Sequence, residues 1–171
     1  STVYSLGLAG AKAVQDARET IAQAIKSEPE EIYFTSGGTE SNNLAIFGAA
    51  RLRKPRGRHL ISSAIEHHAV LHCFQHLAAR EGFDLSVLPV DRAGRVSVES
   101  VRHVLRPDTL LVSVMAANNE TGVLFPVADL AALCARRGVR FHCDAVQAVG
   151  KLPLNLKSLP VDYLSLSAHK L

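Results

Sequence analysis

The sequence predicts an α/β fold, a three-layer αβα arrangement with helices covering a mostly parallel sheet. Three observations predict it. Short apolar runs recur along the 171 residues, helical apolar spacing lies between most of them, and the run "LLVSVM" (110–115) is apolar enough to be buried on both faces. A hydrophobic content of 47% supports a real core, and one domain is the expectation from length.

Taken in order, the first element is an amphipathic helix over Ala11–Lys26, where Val14, Ala17, Ile21 and Ile25 recur at helical spacing until "SEPEE" breaks the pattern. Strands are predicted at "IYFT" (32–35), "HLISS" (59–63), "DLSVLPV" (84–90), "LLVSVM" (110–115), "VRFHC" (139–143) and "VDYLSLS" (161–167). Helical patterns between them include Leu44/Phe47/Ala50, Val70/Phe74/Leu77 and Val127/Leu130/Cys134. No repeat or low-complexity tract interrupts the alternation.

No stretch reaches the roughly 18 apolar residues of a membrane span, and the N-terminus lacks the basic-then-apolar order of a signal peptide. Cys73, Cys134 and Cys143 are too few and scattered for a disulfide framework, which fits a reducing compartment. A soluble, cytoplasmic protein is expected, with no membrane partner. The net charge of +3 names no partner by itself.

In parallel sheets, ligands gather at the carboxyl ends of strands, so those ends carry the functional reading. After "IYFT" comes "SGGTESNN", with glycines that permit close backbone approach and Thr39 opening a helix, a combination that suits a phosphate. By itself Gly37-Gly38-Thr39 reads more simply as a capped turn. His67 follows "HLISS", where its ring faces a ligand if one is bound. His68, His72 and His76 share one helical face, but about 160° from the apolar stripe, with no carboxylate or thiolate to complete a shell. They read as a solvated face, and no metal site is predicted. Asn118 and Asn119 follow "LLVSVM", in what taken alone is a polar loop. Asp144 leaves a buried-looking strand with Gln147 three residues on; it is either a helix N-cap or faces a bound cation. Ser167, His169 and Lys170 close the chain in "SAHKL".

Together the strand ends offer a phosphate-type turn, a histidine, amides, an acid and a lysine. Pyridoxal 5'-phosphate uses all of them, through its aldehyde, pyridine nitrogen, phenolic oxygen and phosphate. A nucleotide would leave Lys170 and Asp144 unexplained.

The segments "FTSGGTESNNLAI", "EHHAV", "NNETGV", "DAVQAVGKLP" and "SAHK" resemble, in order and spacing, the signature segments of the cysteine desulfurases, in the class V aminotransferase group of fold-type I pyridoxal-phosphate enzymes. The resemblance implies that residues 1–171 are part of the large cofactor-binding domain, without the opening segment and the small C-terminal domain. It implies that Lys170 joins the cofactor and carries protons at the substrate α-carbon, and that Asp144 pairs with the pyridinium nitrogen. His67 would stack over the ring, Gln147 would reach the phenolic oxygen, and Asn119 would lie beside it. The Gly38 backbone, Thr39, Ser167 and His169 would hold the phosphate. The implied chemistry converts L-cysteine to L-alanine, with sulfur carried as an enzyme persulfide to sulfur-acceptor proteins, for iron–sulfur clusters or other products. The complete protein would be a homodimer.

The acceptor cysteine and the carboxylate-clamping arginine of that family lie beyond these residues, so the chain alone is expected to be catalytically incomplete. Selenocysteine lyases share these segments and related class V aminotransferases share the lysine, so both remain alternatives. A third alternative is an inactive binding module using the basic loop "RLRKPRGR" (51–58). That loop lacks interleaved aromatics and reads better as a solvated corner between helix and strand, so nucleic acid is not an expected partner.

Overall fold

The computed structural model describes residues 4–170, so Leu171 of the closing segment lies outside them. Two compact units are present. The first runs to Phe34 and adds Leu154–Leu159; the second holds Thr35–Pro153 and resumes at Pro160.

In the first unit, α1 (Ser5–Ile25) starts at Ser5 where the spacing predicted Ala11, because Leu8, Ala9 and Ala11 are good helix formers that extend it. Lys26 ends it in the left-handed conformation (φ 61°), with its N–H donated to the Ala22 carbonyl. Ala22 and Ile25 are buried, while Val14 of the predicted stripe is half exposed. The strand expected at 32–35 is not formed. Ile32 instead caps the 3-10 turn Pro29–Glu31 by donating its N–H to Pro29, and no strand among the described residues lies beside Tyr33 and Phe34. An apolar run becomes a strand only where a partner completes its ladder, and none does so among the described residues.

The second unit carries the sheet. Its elements are α2 (Gly38–Arg53), β1 (His59–Ser63), α3 (His68–Glu81), β2 (Asp84–Leu88), α4 (Val98–Val104), β3 (Thr109–Ser113), α5 (Val127–Arg136), β4 (Arg140–Asp144) and β5 (Tyr163–Ser165). The strands run in the order β2-β1-β3-β4-β5, and every pairing is parallel. Helices α2 and α3 pack on one another, as do α4 and α5. With this strand order, the right-handed crossover rule assigns α3 to one face and α4 and α5 to the other, the three-layer arrangement. All five residues of β1 and of β3 are buried, as a doubly covered strand requires, whereas edge strand β2 exposes Asp84 and Val87. Between β1 and β3 the chain order reverses, the position at which open parallel sheets form a crevice.

Two buried histidines cross-link the sheet. His59 bonds Thr109 Oγ1 on β3 and Ser86 Oγ on β2, both at 2.8 Å. His142 bonds Ser113 Oγ on β3 at 2.8 Å and Ser165 Oγ on β5 at 3.2 Å. Burial lowers the His142 pKa to about 3, so the ring is neutral and acts as a bridge between hydroxyls.

The basic loop is engaged in structure. Arg51 forks onto the Glu81 carboxylate (Nη2–Oε1 2.7 Å), Lys54 Nζ donates to the Glu81 carbonyl at 2.8 Å, and Arg58 donates to the Gly82 carbonyl at 3.1 Å. These cations tie the end of α2 to the end of α3 and neutralise its carbonyl pole. Gly57 sits in the same corner, where a Cβ would lie 2.3 Å from the Asp108 carbonyl oxygen. The backbone must approach that closely because His59 donates its N–H to the same oxygen at 3.1 Å. Gly57→Ala is therefore expected to destabilise the chain by about 1–3 kcal/mol through overpacking. Urea unfolding measures this, and an unchanged midpoint would rule out the close approach.

Candidate active site

The site is built where β1, β3, β4 and β5 end. Asp144, last residue of β4, is only 6% exposed, and both of its carboxylate oxygens are satisfied. Asn42 Nδ2 of α2 donates to Oδ2 at 2.7 Å, and the Val146 N–H donates to Oδ1 at 3.0 Å. Asn42 is 1% exposed and lies one helical turn before buried Ile46, so the helix that packs on the sheet also delivers the donor. The neighbouring Ser41 Oγ donates to Ser165 Oγ on β5 at 2.9 Å. The first turn of α2 is thereby held against the ends of β4 and β5.

That turn lies beside Ser167 of the closing segment. The N–H groups of Gly38, Thr39 and Glu40 have no hydrogen-bond partner among the described residues, as expected of a helix start, and the dipole adds partial positive charge there. A Cβ at Gly38 would come within 3.1 Å of Val146 Cγ2, a tight approach, and would make ordinary contact with Ser167 Cβ at 3.8 Å, so the turn is seated closely on both residues. Ser167 Oγ lies 2.8 Å from His169 Nδ1, and the Lys170 N–H donates to the Ser167 carbonyl at 3.2 Å in the 3-10 turn Ala168–Lys170. Gly38, Asp144, Ser167, His169 and Lys170 thus belong to one contiguous cluster. The set suits pyridoxal 5'-phosphate: unpaired N–H donors with two hydroxyl or imidazole groups for a phosphate, a buried carboxylate, and an exposed amine.

His67 is the N-cap of α3, and its ring Nδ1 accepts the Ala69 N–H at 3.1 Å. With Nδ1 acting as acceptor, the neutral ring carries its proton on Nε2. The turn before it is anchored twice: Asn118 Nδ2 donates to the Ile65 carbonyl at 3.1 Å, and Glu66 receives the Met115 N–H at 2.9 Å. Asn118 is buried, and its Oδ1 also accepts the N–H groups of Glu120 and Thr121, which shapes the loop after β3.

Three predicted site residues are less integrated. Thr39 and Asn119 are exposed, and Gln147 Oε1 accepts from Lys151 Nζ at 3.4 Å. The reading from sequence missed Asn42, Glu66 and the anchoring role of Asn118. For Asn42 a signal existed, since it shares the buried helical face with Ile46 and Ala49. His68 and His72 are exposed with ring centroids 5.3 Å apart, His76 sits edge-on to Phe47, and no metal-binding group of three exists among the described residues. All three cysteines are buried, and burial raises the Cys73 and Cys134 thiols to about 11 and 12.

A carboxylate at the end of an interior strand, a helix N-terminus beside it and a lysine after the last strand form a candidate ligand site at the strand ends of a parallel α/β domain. The aminotransferase class-V family profile matches residues 1–171, and the chain belongs to that family. It is 46% identical over 170 residues to the cysteine desulfurase IscS of Clostridium botulinum, covering 99% of this chain and 43% of that protein. Among solved structures, SspA in complex with cysteine superposes with a TM-score of 0.95 at 38% identity, covering 99% of this chain and 49% of that one. DndA from Streptomyces lividans superposes at 0.91 and 48% identity, over 99% and 47% of the respective chains. The chain therefore spans less than half the length of these relatives.

If the Asn42 bond holds the site, Asn42→Leu leaves one buried carboxylate oxygen of Asp144 without its donor, at a cost of about 1–3 kcal/mol. Equilibrium denaturation is expected to show that loss, whereas Asn43→Leu, on the more exposed neighbouring position, costs less. Equal stability of Asn42→Leu and the parent would contradict the assignment.

Proposed function

We propose that the protein containing this chain is a pyridoxal-phosphate-dependent cysteine desulfurase, converting L-cysteine to L-alanine and passing the sulfur as a persulfide to sulfur-acceptor proteins. The single observation that carries this reading is the cluster of buried Asp144, the open N-terminus of α2 and the Ser167–Lys170 segment at one set of strand ends. The names of the relatives choose the reaction within the family. The chain is read as part of the large cofactor-binding domain of a cytoplasmic homodimer; no described helix is long and apolar enough to cross a membrane.

When bound, pyridoxal 5'-phosphate supplies the electron sink for charge that develops at the substrate α-carbon. Asp144, held ready by Asn42 and Val146, is the group that keeps a proton on the ring nitrogen. The Lys170 amine is the site of covalent attachment and moves the proton at the α-carbon. His67 offers its Nε2–H for a proton transfer, since Nδ1 is committed to the Ala69 N–H. The Gly38 and Thr39 N–H groups, the Thr39 hydroxyl, Ser167 and His169 would hold the phosphate, with Gln147 available to the phenolic oxygen and Asn119 beside it. The three cysteines of this chain are excluded as acceptors, because each is buried and its thiolate is disfavoured. Iron–sulfur cluster assembly is the expected destination of the sulfur.

The test is chemical trapping. With pyridoxal 5'-phosphate and borohydride, peptide mass spectrometry is expected to find the reduced label on Lys170, and Lys170→Ala is expected to abolish it. A label at another lysine in the parent protein overturns the assignment.

A further inference from the structure

Glu66 is a charged residue type in a place where a charge is hard to keep. It is 5% exposed, in the turn between β1 and α3, immediately before His67. Its Oε1 accepts the Ser63 hydroxyl at 2.6 Å and the Met115 N–H at 2.9 Å; its Oε2 is buried with no partner.

The Met115 bond has a topological meaning. Beyond β3, Val114 and Ala116 donate their N–H groups toward β4, to the His142 and Asp144 carbonyls at 3.2 and 2.9 Å. Met115, between them, points its N–H to the opposite side, toward β1. There the backbone has already turned away after Ser63, and the Glu66 side chain takes the place of the missing strand carbonyl.

The geometry points to Glu66 as a positioning residue, which extends the β1–β3 ladder by one side-chain bond and thereby fixes the turn that presents His67. The inference rests on the proposed role of His67 at the site. The function needs an acceptor at Oε1 and no charge. Oε1 already receives two donors and Oε2 receives none, so the proton belongs on Oε2. Burial pushes the carboxyl up to about 8, the Ser63 and Met115 bonds pull it down, and the Asp144 charge pushes it further up. The ionisable groups facing it are Asp144 and Cys143 from β4, with His67 on its own turn.

The sign of the linkage follows. The folded chain holds this proton more tightly than the unfolded chain, whose ordinary value is 4.5. Glu66 therefore contributes stability that is fully present below about pH 4.5 and is lost as pH rises through about 8. Glutamine has the same shape as the neutral acid and keeps the acceptor.

The experiment compares the full chain with Glu66→Gln and Glu66→Leu, following the His67 ring signals by NMR, assigned with a His67→Gln control. Glu66→Gln is expected to keep the parent His67 signals, and Glu66→Leu to shift or broaden them. Unchanged His67 signals in Glu66→Leu, or equal disturbance in both variants, overturn the inference. Should Glu66→Leu not fold, the parent decides by infrared difference spectroscopy against Glu66→Gln. A protonated-carboxyl band attributable to Glu66 at pH 6, lost as pH rises through about 8, is expected; its absence overturns the inference. Neither readout uses cofactor, so failure here is distinct from failure of borohydride to label Lys170.

Discussion

The bond between Asn42 and Asp144 joins residues 102 positions apart, and the arrangement of the site depends on it. A carboxylate buried at a strand end must find donors within the protein or lose its charge. One donor comes from its own following turn at Val146, and the other from α2. Supplying the second donor seats the first turn of α2 against the end of β4. The Ser41–Ser165 bond repeats the attachment on β5, and Gly38 packs the turn closely on Val146 and Ser167. The same packing thus brings a helix start with open N–H groups and a buried carboxylate to one place.

A second set of polar contacts organises the opposite side of the crevice. The Glu66–Met115 and Asn118–Ile65 bonds hold the turn before α3 to the exit of β3. Two side chains do there what backbone pairing does elsewhere in the sheet. The buried histidines His59 and His142 bridge hydroxyls on neighbouring strands, and His142 is kept neutral by burial. Their polarity serves sheet register, while the titratable groups open to a ligand lie at the strand ends.

Much of this was legible in the residues. β1 was read with its observed bounds, and the other sheet strands were located within a few residues, because apolar runs in a doubly covered sheet have no polar face to confuse the pattern. The strand-end positions of His67, Asp144 and Lys170 followed from those strands. The segment 32–35 failed because a strand is a relation between two segments, and local alternation cannot show that the second is missing. Helix α4 is short, with Val101 its one buried residue, so its periodicity has little to work with. Asn42 and Glu66 were passed over for a common reason: a polar residue is read by default as solvent-facing, and its partner lies far along the chain. Ile46 and Ala49, four and seven positions after Asn42, mark it as facing inward. Nothing local distinguishes Glu66 from an ordinary surface acid.

In the proposed function, Asp144 is the carboxylate that would face the cofactor's ring. The most direct measurement is nitrogen NMR of the full chain carrying pyridoxal 5'-phosphate labelled at the pyridine nitrogen. The account predicts a protonated ring nitrogen at neutral pH in the parent, and loss of that proton in Asp144→Asn with the phosphate still bound. A nitrogen that stays protonated in Asp144→Asn would contradict it, because another acid would then be the partner of the ring.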